Sequence, residues 1–169
     1  MTLEEAIKTA IEYETRVRDV YIEARAAATN EVGRRVFKFL AREEQGHLEY
    51  LKHVLDHWQK TGELVAAELA TTMPSIDKIK AGVNVLENRM AVDDLGDEGN
   101  MLEKAHKVEV ETGNFYRKMV SELGPEGQAL FQPFVVIEEG HEALVAAELD
   151  AVMGNGFWFD MQEFNLEAE

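Results

Sequence analysis

Through four long segments of the chain, apolar residues return every three to four positions, the period of one face of an α-helix. The first segment runs from about Thr2 to Ala28 and turns Ile7, Ala10, Glu14, Val17, Tyr21 and Ala24 to one side. A break at "TNEVG" follows. The second spans roughly Val32 to Gln59, with Phe37, Leu40, Glu44, His47, Leu48, Leu51, Leu55 and Trp58 on one face, and "KTGE" ends it. The third begins near Asn100, faces Leu102, Ala105, Glu109, Thr112, Tyr116 and Met119 inward, and ends at "LGPEG". The fourth runs from Glu126 to about Met153, with Leu130, Phe134, Glu138, His141, Val145 and Leu149 facing in, until "GNG" stops it.

Between the second and third segments lies a less regular stretch from Gly62 to about Asn100. Pro74 in "TTMPS" breaks any helix there, and "DDLGDEGN" reads as a turn, leaving room for short helices. The pattern therefore predicts an all-α fold: two helical hairpins joined by a crossover of roughly forty residues, a four-helix bundle with one long connection. The first and third helices are expected to run parallel, as are the second and fourth. Residues 1–153 form the bundle, and residues 154–169, aromatic then acidic, form a tail packing on the bundle or on a partner subunit.

Composition narrows the function. The formal net charge of -16 repels phosphate backbones and anionic lipid, which argues against nucleic-acid and membrane-surface roles. There is no cysteine, so disulfides, thiolate-held zinc and iron–sulfur clusters are excluded. "MTLEEAIKTA" is acidic and amphipathic, unlike a secretory signal, and no apolar run approaches the roughly twenty residues of a membrane span. A cytoplasmic protein is expected.

The polar residues inside the apolar stripes carry the chemistry. "EEQGH" and "EEGH" each place a histidine three residues after a glutamate, at Glu44–His47 and Glu138–His141. Alone the spacing says little: among 25 glutamates and five histidines, chance supplies on the order of one such pair, and the chain has three, the third being Glu103–His106. The two halves of the chain, however, echo each other. Glu14 precedes Tyr21 by seven and Glu44 by thirty; Glu109 precedes Tyr116 by seven and Glu138 by twenty-nine. Residues i and i+3 share a helix face, so each Glu–His pair can approach one ion together. Surface positions for Glu14, Glu44, Glu109 and Glu138 fit poorly, because each falls in an otherwise apolar stripe. Burying an unpaired carboxylate costs several kcal/mol, and four would repel. A pair of bound cations removes both penalties. Without metal, the four carboxylates are expected to share raised, coupled pKa values and to destabilise the fold at neutral pH.

Other candidates fall outside this set. On a helix of 3.6 residues per turn, His106 is offset by roughly 60° and Glu103 by roughly 120° from Glu109. Glu43 and Glu139 point about 100° away from their neighbouring ligands, and Glu111 faces away from Glu109. His53 and His57 read as rim or surface residues, and Trp58, Phe131 and Phe134 as core aromatics. Tyr21 and Tyr116 either hydrogen-bond to ligand carboxylates or stand as core tyrosines with satisfied hydroxyls.

Taken together, Glu14 with Tyr21, "EEQGH", Glu109 with Tyr116, and "EEGH" resemble the rubrerythrin and bacterioferritin branch of the ferritin-like di-iron carboxylate proteins. The resemblance covers the four helices. It implies two iron ions per subunit, with manganese or zinc as substitutes. Glu44 and Glu138 would bridge them, Glu14 and Glu109 would be terminal carboxylates, and His47 and His141 would each bind one ion. Rubrerythrins carry a further glutamate where this chain has Thr112, so the set is closer to the four-Glu, two-His pattern of bacterioferritin. With no cysteine for a rubredoxin domain, electrons would come from a separate donor protein. The short aromatic tail replaces the fifth helix of bacterioferritin, so a storage cage is not expected, and a homodimer is. The implied activity is redox chemistry with hydrogen peroxide or dioxygen. The alternatives are ferroxidase action feeding iron storage, a bundle stiffened by a non-redox ion, and, as a minor option, an oxygenase.

Overall fold

The computed structural model describes residues 1–64, 68–86, 97–156, 158 and 159. These form an all-α fold with five helices: α1 (Leu3–Ala27), α2 (Glu31–Thr61), α3 (Ile76–Leu86), α4 (Glu98–Glu122) and α5 (Pro125–Asn155). No strand occurs among the described residues, and none of their helices is long and apolar enough to cross a membrane.

Local signals account for the boundaries. Thr2 and Glu5 form a capping box at the start of α1: the Thr2 hydroxyl accepts from Glu5 N, and the Glu5 carboxylate accepts from Thr2 N. Asn30 caps α2 through its side-chain oxygen, which accepts from Val32 N and Gly33 N. Pro125 opens α5, where its missing N–H costs nothing. Gly62 and Gly156 close α2 and α5 at φ 73° and 71°, the left-handed region in which a side chain is strained.

α1 pairs with α2 and α4 with α5, and α1 packs on α4. The direction of the last contact corrects the expected parallel arrangement. Tyr13 stacks on Phe115, Arg16 pairs with Glu111, Lys104 with Glu23, and Thr29 N donates to Glu98. Residue numbers rise along α1 as they fall along α4, so the two helices are antiparallel. The cause is the crossover. α2 ends beside the start of α1, where Gln59 meets Glu4, while α4 begins beside the end of α1. The connection therefore travels the length of the fold, which reverses α4 relative to a chain that returned at the same end. α3 forms within it after Pro74, as a short helix packed on α5. Residues 87–96, which include the first half of the expected "DDLGDEGN" turn, lie outside the described residues; its second half, Asp97 to Asn100, caps and begins α4.

The core divides around the mid-height of the helices into two apolar clusters. One gathers Val17, Tyr21, Phe37, Leu40, Leu102, Leu144 and Trp158; the other gathers Ile7, Ala10, Leu51, Phe115, Tyr116, Phe131 and Phe134. Phe131 and Phe134 are buried as expected, but Trp58 is only half-buried. Leu149 is also half-buried, and Glu148 takes the inward position. Steps of four from His141 overshoot a helix that turns every 3.6 residues, so the inward stripe reaches 148 rather than 149.

The start of the tail folds back on its own chain. Trp158 and Phe159 are buried, and the Trp158 ring lies edge-on to Phe37 at 5.3 Å between centroids. Glu98, almost fully buried, accepts from Trp158 Nε1 (2.6 Å), Thr29 N (2.7 Å) and Asn30 N (2.8 Å). Glu148 accepts from Phe159 N at 2.9 Å. Gly33 leaves room for the indole: a Cβ there would stand 2.7 Å from two of its ring carbons. Gly33→Ala is therefore expected to displace Trp158 and destabilise the fold by about 1–3 kcal/mol. Thermal denaturation monitored by tryptophan fluorescence checks this, and an unshifted midpoint would contradict the packing. Residues 160–169, the rest of the expected tail, lie outside the described residues.

Candidate metal centre

Between the two apolar clusters, four helices each turn polar side chains inward at the same height. Glu14 comes from α1, Glu44 and His47 from α2, Glu109 from α4, and Glu138 and His141 from α5. All six are fully buried. Each sits one helical turn from large apolar neighbours, so the same 3.6-residue period that buries Leu40, Leu48 or Phe134 also buries the carboxylates.

The contacts are cross-helix and nearly two-fold. His47 Nδ1 lies 3.1 Å from Glu14 Oε2, 3.1 Å from Glu44 Oε2 and 3.6 Å from Glu138 Oε1. His141 Nδ1 lies 2.8 Å from Glu44 Oε1, 3.9 Å from Glu109 Oε1 and 3.8 Å from Glu138 Oε1. Glu44 thus offers one oxygen to each histidine, and Glu138 Oε1 approaches both. The imidazoles stack at 5.4 Å with 17° between their planes. Two groups of four potential ligand atoms result, Glu14–Glu44–His47–Glu138 and Glu44–Glu109–Glu138–His141, each within 4.8 Å of one another. Glu44 and Glu138 belong to both.

The tyrosines complete the symmetry. Tyr21 of α1 donates its hydroxyl proton to Glu109 Oε1 of α4, and Tyr116 of α4 donates to Glu14 Oε1 of α1. Both rings are fully buried. They are core tyrosines and partners of the candidate ligands at once, the two alternatives the sequence left open. Thr112 takes no part: its hydroxyl donates to Val108 O at 2.8 Å within its own helix.

Donors are too few for so many acceptors. Glu44 Oε1, Glu109 Oε2 and both Glu138 oxygens have no hydrogen-bond partner, and neither has His47 Nε2 nor either ring nitrogen of His141. His141 Nδ1 and Glu44 Oε1 approach to 2.8 Å without hydrogen-bond alignment. Buried polar groups are otherwise paired almost everywhere in proteins. Oxygen and nitrogen donors left bare on converging side chains fit a cation, and these buried residues could hold a metal ion.

Protonation follows the same crowding. Burial, with the Glu44 charge next, raises Glu14 to about 8 and Glu109 to about 7. Burial and then Glu44, Glu14 and Glu109 hold Glu138 well above the ordinary carboxylate range. Glu44 departs from the expected shared rise. Burial pushes it up, but the facing His141 and His47 outweigh this and hold it well below the ordinary range. Reciprocally, burial lowers His47 and His141, yet neighbouring carboxylates leave both raised. Without metal, the crowding therefore favours protons on the histidines and on Glu14, Glu109 and Glu138, and disfavours one on Glu44.

The remaining candidates stand apart. Glu103 and His53 are exposed, and His57 is half-buried near the end of α2. Half-buried His106 lines an open groove with Lys80, Arg117 and Glu139. Glu111 pairs with Arg16, and Glu139 with Arg117 at 3.6 Å. Glu43, expected to point away, is half-buried beside the centre: one of its oxygens and a ring nitrogen from each of His47 and His141 fall within 4.8 Å of one another.

No protein-family model matches this chain, and neither a curated protein nor a solved structure does.

Proposed function

We propose that the chain is a ferritin-like di-iron carboxylate protein of the rubrerythrin and bacterioferritin branch, a four-helix bundle reducing hydrogen peroxide or dioxygen. The observation that carries this reading is the sharing of Glu44 and Glu138 between two four-residue ligand groups. One ion alone needs no such duplication; two ions at bridging distance do. His47 and His141 each present Nδ1 to one group, and Glu14 and Glu109 each close one end. Tyr116 and Tyr21 hold those end carboxylates in place. The absence of any sulfur donor favours iron or manganese, with zinc a substitute.

Two iron(II) ions would supply the two electrons that, with two protons, convert hydrogen peroxide to two waters. A separate electron-donor protein would restore them, and the working unit would be a homodimer. The chain's part is to hold the ligands and to keep water out. Phe134 lies edge-on to His47 at 5.5 Å and stacked on Tyr116 at 4.7 Å, walling the centre from one apolar cluster.

Anaerobic loading with iron(II), followed by one equivalent of hydrogen peroxide, tests the proposal. The expected result is two irons bound per chain and rapid appearance of iron(III) absorbance with consumption of the peroxide. Two irons that leave peroxide untouched would sink the redox reading, and many irons per chain would indicate storage instead.

A further inference from the structure

We propose that Glu43 is a positioning residue for both histidines of the metal centre, accepting the Nε2–H of each imidazole and fastening them to the crossover. The proposal rests on the metal reading above.

Three observations carry it. First, each histidine turns Nδ1 toward the buried carboxylates, and Nε2 of each is buried with no hydrogen-bond partner. A neutral imidazole that gives Nδ1 to an ion keeps its proton on Nε2, and that proton needs an acceptor. Second, the Glu43 carboxylate is near ring nitrogens of both histidines. The position matching Glu43 on α5 is the buried Ile137, which offers no carboxylate. The two-fold pattern of the centre breaks here, and one outer carboxylate serves two stacked rings. Third, Glu43 is itself held. Thr71 and Thr72 of the crossover donate to it through both hydroxyls, and Thr72 N adds a backbone bond at 3.2 Å. One residue further on, Met73 lies against α5, with its Cγ 3.1 Å from where a Cβ on Gly140 would stand. The crossover thus touches the two histidine-bearing helices at Glu43 and at the residue before His141.

A carboxylate behind a metal-bound imidazole fixes ring orientation and raises its basicity, and losing it typically costs about 10- to 100-fold in metal affinity. The test uses zinc(II) as a closed-shell probe. Zinc affinity is measured by chelator competition and the ring Nε2–H protons by 1H–15N NMR, in the wild type, Glu43→Gln, the double variant Thr71→Val with Thr72→Val, and Glu139→Gln. In the zinc-loaded wild type, two slowly exchanging, strongly downfield Nε2–H resonances are expected. Glu43→Gln moves both upfield and lowers zinc affinity about 10-fold, an effect a purely structural surface glutamate would not have on the rings. The threonine double variant keeps the carboxylate but loosens it, giving a smaller loss. Glu139→Gln, whose side chain pairs with Arg117, changes neither signal. If Glu43→Gln binds zinc as the wild type does with both resonances unmoved, this role is overturned and the metal centre stands. If the wild type binds no zinc, both fall together.

Discussion

Adding excess zinc(II) or iron(II) to the metal-free protein is expected to raise its melting temperature by about 15–30 °C, and by more at pH 8 than at pH 6. A ligand at about a thousand times its dissociation constant stabilises the fold by about 4 kcal/mol per site, and each kcal/mol moves a chain of this size by about 2–4 °C. The pH dependence follows from the buried carboxyls. Glu14 is raised to about 8, Glu109 to about 7, and Glu138 is raised as well. A raised folded-state pKa means the native state holds protons that the unfolded chain has already released. The contribution of these groups is therefore fully present below the unfolded value near 4.5, and it is lost as pH rises toward their folded values. His47 and His141 are raised too, so their contribution is present below about 6.5 and is also lost on going upward. Glu44 is depressed, so it acts at the acid end, contributing above about 4.5 and failing only as pH falls through its folded value. The metal-free protein should accordingly lose stability between about pH 5 and pH 8. Metal binding needs the same groups deprotonated, so affinity climbs over that range. Scanning calorimetry at pH 5, 6, 7 and 8, with and without metal, reads both trends. A metal-free melting temperature that rises steadily from pH 5 to 8 would contradict the protonated centre.

The six candidate ligand residues were legible because helical period and internal echo act together. Glu14 and Glu109 lie on apolar stripes at matching distances from Glu44 and Glu138, and a helix converts that spacing into a face. What spacing cannot convey is direction. Whether the crossover returns at its own end or runs the length of the fold changes no residue's face, yet it decides that α1 and α4 are antiparallel. Nor can it convey the state of each carboxyl. Crowding alone suggests four raised values, but Glu44 alone lies against both imidazole Nδ1 atoms at 2.8 and 3.1 Å and is driven the other way. Glu98 and Glu148 are invisible for another reason. Each is one glutamate among many, and their partners Trp158 and Phe159 lie 60 and 11 residues further on. Glu43 was expected to point away, yet its carboxylate lies near both histidines; a helical projection describes one helix and could not show Thr71 and Thr72 arriving from the crossover.

Replacing the two shared carboxylates should separate metal binding from stability. Glu44→Gln and Glu138→Gln are each expected to abolish binding of both ions, since each residue belongs to both ligand groups. Glu14→Gln, which belongs to one, should leave a single ion bound. The metal-free proteins should behave oppositely. Glu138 is a buried carboxyl whose ionisation is opposed by burial and by Glu44, Glu14 and Glu109, and its oxygens have no hydrogen-bond partner. An amide of the same shape removes that conflict, so Glu138→Gln should be at least as stable as the wild type at pH 8. Glu44 is instead held below the ordinary carboxylate range by the facing His141 and His47. Removing its charge takes away the carboxylate that faces both buried imidazoles, and breaking a buried pair in this way typically costs about 3–5 kcal/mol and on the order of 10 °C. Zinc stoichiometry by elemental analysis and metal-free melting curves at pH 8 provide both readouts. Two zinc ions bound to Glu44→Gln, or a metal-free Glu138→Gln less stable than the wild type, would show that the carboxylates are not shared in this way. The opposite signs at two residues of identical chemistry would come from their neighbours alone: imidazoles against Glu44, carboxyls against Glu138.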